Sequence, residues 1–367
     1  MIVKKLTRKV VLGLKPYQAG KPISQLKRER KISRVIKLAS NENPFSPSKK
    51  VIKALGNSLK KINLYPDSNG YCLKETIAKK LKLKRGNIIL GNGSSEIIAM
   101  VLETFVNPAE EVIIPDPSFI IYKSLIKLRD AVPVSIPLKD YALDLSAMLK
   151  AINKKTKMLI LCNPNNPTGT IIKKEELKKF MEKIPENLII FSDEAYLEYV
   201  EDRKFGSLLP YLKSTKPLVV ARTFAKSSSL AGLRIGYGIA KEEIIELMNR
   251  IRPPFNTSSL AQVAATTALN ENEHLKKTRE NNREGKRYLY ENLKKLGLSY
   301  IPTQANFICV DLKRDASSVC RKLEKEGVII RDMSNFNLPG SFARVTIGMH
   351  QENTLFIKKL KKVLKNE

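Results

Sequence analysis

From about residue 83 the chain alternates short β-rich runs with segments of helical spacing, and that rhythm is the strongest constraint on its fold. The runs "GNIIL" (86–90), "EEVIIP" (110–115), "AVPVSIP" (131–137), "TKMLILCNP" (156–164), "NLIIFSD" (187–193) and "KPLVVARTF" (216–224) are predicted strands. Between them, "SSEIIAMVLETFV", "SFIIYKSLIKL" and "KKEELKKFMEKI" carry apolar residues at helical intervals. Such alternation implies βαβ units, hence an α/β fold with a mainly parallel sheet covered by helices. Ligands of such sheets bind beyond the carboxyl ends of the strands.

The pattern changes after "RPPFNTSSL" (252–260). One long helical stretch is predicted from 260 to about 296, followed by strands in "ANFICVDL", "GVIIRDM" and "FARVTIGM" and a closing helix from about 351. The expected organisation is an N-terminal arm over 1–36, partly joining the small domain, a large domain over 37–258, and a smaller α+β domain over 259–367. A length of 367 residues suits two packed units.

Composition narrows the function. With 43% hydrophobic and 28% charged residues the chain is globular rather than disordered. No apolar run approaches the ~18 residues that span a bilayer, and the basic N-terminus lacks the apolar core and cleavage site of a signal peptide. The four cysteines form no CxxC pair and the two histidines are not clustered, so neither a metal site nor a disulfide framework is expected, and a reducing cytoplasm fits. The net charge of +30 is spread over amphipathic helices such as "FIKKLKKVLK" (356–365), whose lysines form solvated faces. No RNP-like or zinc-finger pattern accompanies it, so specific nucleic-acid binding is not expected. Such a field attracts anionic ligands.

Four short stretches fall at predicted strand ends. "GNGSSE" (91–96) opens a helix, where Gly91 and Gly93 permit close backbone approach and Ser94, Ser95 and Glu96 offer first-turn amides and a capping pattern. "CNPNNPTGT" (162–170) is a rigid turn that can fix Asn166. "NLIIFSDEAYLEY" ends a strand on Asp193, with Tyr196 three residues on. "RTFAKSSSLAGLRIGYGIA" places Lys226 just beyond another strand, followed by Arg234. Each has an ordinary alternative: a turn, a loop, a helix cap or a solvated lysine. Together they offer an amine, a carboxylate, neutral donors, a cation and an amide nest, the set that pyridoxal 5'-phosphate (PLP) requires for its aldehyde, pyridinium, phenolate oxygen and phosphate.

The chain resembles the fold-type-I PLP-dependent aminotransferases, and within them the histidinol-phosphate aminotransferase family. The resemblance runs almost end to end, through "LKPYQAGKPISQLKRE", "KLASNENPFSPS", "YPDSNGYCLKETIA", "PDPSFIIY", "NPNNPTGT", "DEAYLEY", "TFAKSSSLAGLRIGY" and "ARVTIGMHQEN". It implies a large domain with a seven-stranded-type sheet and a smaller α+β domain. Lys226 then bonds the cofactor aldehyde, Asp193 pairs with the pyridinium nitrogen, and Tyr196 and Asn166 face the phenolate oxygen. Phe119 stacks on the ring, while Arg234, Thr223, Ser94, Ser95 and Glu96 surround the phosphate. Tyr65 reaches the cofactor of the partner subunit, which implies a homodimer. Tyr17, Asn43, Arg331 and Arg344 correspond to substrate residues, for histidinol phosphate in one half-reaction and glutamate or 2-oxoglutarate in the other.

Three positions depart from the family pattern: Ser95 where Asp is usual, Ala225 where Ser usually precedes the lysine, and Ser46 where Gly is common. They leave the cofactor implied and loosen the substrate. An aromatic or other amino-acid aminotransferase, or a threonine-phosphate decarboxylase, is the alternative on the same scaffold. A basic nucleic-acid-binding protein is the alternative from another class.

Overall fold

The computed structural model describes residues 2–16 and 20–365. The first strand, β1 (Ile36–Lys37), lies apart from the next seven, which form one sheet: β2 (Ile88–Gly91), β3 (Glu111–Asp116), β4 (Val132–Pro137), β5 (Thr156–Cys162), β6 (Ile189–Asp193), β7 (Leu218–Thr223) and β8 (Gly236–Ala240). Their order is β2-β8-β7-β6-β5-β3-β4. Pairings from β7 through β4 are parallel, and β8 runs antiparallel to both of its neighbours. The period-2 alternation of side chains splits the strands between two cores. Ile88, Leu159, Leu161, Ile190 and Val220 face one, and Ile89, Met158, Ile160, Phe191 and Val219 face the other. Burial on both faces is why these strands are almost continuously apolar.

Strand β8 was not anticipated, because "GYGIA" has few β-formers. Its glycines answer a packing demand from the helix Ser94–Phe105. A Cβ on Gly236 would stand 2.7 Å from the Ser94 nitrogen, so only glycine lets β8 pass beneath that helix start.

The second unit holds β9 (Ser299–Ile301), β10 (Phe307–Asp311), β11 (Val328–Ile329), β12 (Arg331–Asp332) and β13 (Phe342–Thr346). Four of these pair antiparallel in the order β12-β13-β10-β9, while β11 pairs in parallel with β1. The arm therefore joins this unit: Leu26, on the helix Ile23–Arg30, packs with Ala39 and Ile329.

One expectation needs correction. The long helical stretch is two helices, Ser259–Ala268 and Asn272–Lys295, broken at 269–271. The first of them buries Ala261, Ala264 and Ala265 in the same core as Ile88 and Leu159.

Candidate active site

Parallel strands bring β5, β6 and β7 to one edge, with Cys162 beside Asp193 and Asp193 beside Ala221. Beyond that edge lies a cavity of about 180 Å³, lined in part by the second unit. Of the residues singled out in the sequence, Ser94, Ser95, Phe119, Asn166, Asp193, Tyr196, Thr223, Lys226, Arg234, Arg331 and Arg344 line it. Four cations face one carboxylate there, so the cavity favours anions.

Asp193 is buried. Burial raises its pKa, opposed first by the Tyr122 hydroxyl, which donates to Oδ2 at 2.7 Å, and then by the Ala195 N–H, which donates to Oδ1 at 3.1 Å. Tyr122 is fully buried and its own pKa stands well above the usual phenol value, mainly through desolvation, so it acts as a donor. Lys226 is half-buried, and desolvation, then the Arg344 charge, bring its ammonium down to about 8. A neutral amine is thus within reach near physiological pH.

Two neutral donors are fixed in orientation. Arg344 donates from Nη1 to the Asn166 Oδ1 and, at 3.0 Å, from Nη2 to the Ala39 carbonyl. With its oxygen engaged, Asn166 presents its amide nitrogen as the group able to meet an acceptor. Asn41 donates to the Tyr196 oxygen at 2.9 Å, leaving the phenolic hydrogen to be donated elsewhere. Burial raises the Tyr196 pKa, so that hydrogen is retained.

An anion cradle forms where the helix Ser94–Phe105 begins. Its N-cap, Gly93, has φ 79° and ψ 172° and provides no side-chain cap, so the first-turn amides of Ser94 and Ser95 are not engaged by a capping side chain. Arg234 adopts the left-handed region at φ 54°. A Cβ on Gly93 would lie 2.5 Å from the Arg234 Nη2, so glycine is what admits the guanidinium to the helix start. Amides, helix dipole and guanidinium converge as a site for a phosphate.

Other expected residues sit elsewhere. Glu96 does not line the cavity: its Oε2 accepts from the Asn92 N–H at 2.7 Å and the Asn256 amide at 2.6 Å, which holds the loop rather than a ligand. Asn43 donates to the Ser227 carbonyl at 2.9 Å and to Thr278, fixing the backbone beside Lys226. Thr223 reaches the cavity, but its Oγ1 accepts from the Ala225 N–H at 3.1 Å. Tyr65 is 82% exposed and stacks on Phe255 at 4.5 Å, away from this chain's own cavity. Tyr17 lies outside the described residues.

Tyr122 and Asn41 were missed. Tyr122 follows Phe119 by one helical turn in "PDPSFIIY", a spacing that signals a shared face, and Asn41 lies two residues before the chosen Asn43. Behind the site, Arg222 and Glu194 form a buried ion pair at 2.8 Å that further pins the ends of β6 and β7. Among the described residues no group of three or more His, Cys, Asp or Glu is placed to hold a metal, and no helix is long and apolar enough to cross a membrane.

Comparison with known proteins agrees with this geometry. Residues 33–360 match the family "Aminotransferase class I and II". The chain is similar to a histidinol-phosphate aminotransferase of Moorella thermoacetica, at 44% identity over 97% of this chain and 92% of that one. It is 45% identical to one of Caldicellulosiruptor saccharolyticus, over 97% and 99% of the two chains. In fold it resembles the crystal structure of histidinol-phosphate aminotransferase from Sinorhizobium meliloti in complex with pyridoxal-5'-phosphate, with a TM-score of 0.90 at 24% identity, covering 98% of both chains. By its near-complete match to the family and its identity to these relatives, the chain belongs to the class I and II aminotransferases.

Proposed function

We propose that the protein is a PLP-dependent transaminase that converts histidinol phosphate and 2-oxoglutarate to imidazole acetol phosphate and glutamate. The observation that carries the reading is one cavity holding Lys226, Asp193 and an anion cradle, with Asn166 and Tyr196 oriented as donors. The residues fit the cofactor group by group. Lys226 offers an amine for the aldehyde and Asp193 a carboxylate for the ring nitrogen. Asn166 and Tyr196 offer hydrogens for the phenolate oxygen. The gap left at Gly93, with Arg234 and two amides, suits the phosphate. The relatives' shared name supports the substrate.

When bound, PLP supplies an aldehyde for the substrate amine and a cationic ring that takes up electrons as the Cα proton leaves. Asp193, whose carboxylate accepts from Tyr122 and Ala195, would hold the ring nitrogen of the bound cofactor. The Lys226 Nζ, with its pKa brought down to about 8, would serve as the base that accepts and returns the substrate's proton. Arg331 and Arg344 bind the anionic groups of the two substrates from the second unit's side of the cavity.

The working unit in this reading is a cytoplasmic homodimer. Ile62, Leu64 and Tyr65 are exposed by 63%, 61% and 82%, an apolar rim suited to a second copy. From there Tyr65 would reach the cofactor of the other protomer. The test is direct. The purified protein should be yellow, and borohydride should fix the cofactor covalently to the chain only when Lys226 is present. Histidinol phosphate should outperform phenylalanine and threonine phosphate as substrate; preference for either competitor would replace the substrate assignment.

A further inference from the structure

We infer that the loop Ser334–Leu338 is a specificity clasp, in which an Asn337–Asp116 hydrogen bond closes the second unit onto the first and sets Phe336 against the amino substrate's side chain. The inference rests on the functional reading above and goes beyond it, because no residue of this loop is a binding residue there.

Both ends of the loop are anchored within the second unit. Asp332 accepts from the Ser334 N–H at 2.8 Å and from its hydroxyl at 2.9 Å, and the Phe342 N–H donates to the Pro339 carbonyl at 3.0 Å. A 3₁₀ turn, Ser334–Phe336, then ends on Asn337 at φ 54°, ψ 31°. Asparagine is among the few non-glycine residues that adopt this region readily. Here its side chain does more than tolerate the turn. The Asn337 amide donates to the Asp116 Oδ2 at 2.8 Å, at the carboxyl end of β3, and Lys123 holds the same oxygen at 2.6 Å. One exposed residue of the small unit is thereby tied to the rim of the large unit.

The tie decides where Phe336 sits. Phe336 is buried, lines the cavity, and packs in a cluster with Ile301, Met333 and Phe342. Ile120 of the large unit completes that cluster, one residue beyond Phe119, which also lines the cavity. The Arg331 guanidinium lies over the Phe336 ring, 5.6 Å from its centroid. So one aromatic side chain forms an apolar wall of the cavity beside Arg331. A substrate with a flat imidazole meets that wall, whereas glutamate offers no ring to it. An exposed neutral-to-charged hydrogen bond is strong enough to set the closed position and weak enough to release product.

The test uses the cofactor-loaded enzyme and two variants. Asn337→Gly suits φ 54° and removes only the amide, and Phe336→Leu keeps apolar bulk without the flat face. Both should raise the KM for histidinol phosphate about tenfold while kcat and the KM for glutamate stay within about twofold, the scale on which one pocket contact discriminates. The visible absorption of the bound cofactor should be unchanged in both, which excludes a folding defect. An unaltered KM for histidinol phosphate in the two variants overturns the clasp. So does a parallel rise for both substrates in Phe336→Leu, which would mark general loosening of the site. If the unaltered enzyme fails to turn over histidinol phosphate, the functional reading falls and the inference falls with it.

Discussion

Lys226 differs from the other lysines of this basic chain in its solvation, not its chemistry. Desolvation and the Arg344 charge lower its pKa to about 8, while in the unfolded chain it keeps the ordinary 10.5. Below pH 8 the protonated form, which does not attack an aldehyde, predominates. Capture of PLP by the apoprotein should therefore accelerate with pH up to about 8 and level off above, as followed by stopped-flow absorbance. The same shift has a stability consequence with the opposite look. Between pH 8 and 10.5 the folded state binds fewer protons than the unfolded, so this group adds stability as pH rises and loses it as pH falls. Lys226→Met should flatten that part of the apoprotein's stability profile in denaturant titrations. Ala225, beside it, lines the cavity without a hydroxyl. Restoring one by Ala225→Ser should tighten PLP by about 1 kcal/mol, read as a fall in the cofactor's dissociation constant; no change would mean that Ser95 already serves the phosphate. At this scale the sequence was most readable where residues end strands. Asp193, Asn166 and Lys226 stand at predictable edges, whereas Tyr122 and Asn41 matter only through the groups they touch, and contact is not written in spacing.

The helix Ser94–Phe105 shows how an element can be placed by what its neighbours lack. Gly93 occupies a region of φ and ψ that only glycine enters cheaply, and Gly236 clears the strand beneath. Gly93→Ala should therefore cost roughly 1–3 kcal/mol and also push Arg234 from the phosphate cradle. The expected signature is loss of cofactor affinity by equilibrium dialysis, with secondary structure by circular dichroism intact. Full affinity in that variant would remove the guanidinium from the cradle. The same glycines explain why β8 escaped notice: propensity argues against a strand in "GYGIA", and tertiary crowding by the helix overrides it. The break at 269–271 was illegible for a related reason. Both flanking segments are helical in pattern, and only packing against the large unit's core separates them.

For the whole molecule, the six predicted strands were legible because burial on both faces imposes long apolar runs. A homodimer is expected only by resemblance, since a lone tyrosine in "LYPDSNGY" says nothing of a partner. The exposed apolar rim gives the expectation a physical basis. Leu64→Asp, which puts a charge on that rim, should shift the protein to monomers in analytical ultracentrifugation and weaken cofactor retention. A dimer that persists with full retention would place the interface elsewhere.

The pairing of β1 with β11 joins residues 36–37 to 328–329, far apart along the chain. During synthesis the large unit has all of its strands and the helix Ser259–Ala268 well before that partner exists. The arm, with Leu26 on its helix, must wait for β11 to emerge, on the order of tens of seconds at ~5–20 residues per second. The nascent protein therefore carries its own late-closing apolar segment, and the cavity between the units, with Arg331 and Arg344 in its wall, is completed only when the final strands are made.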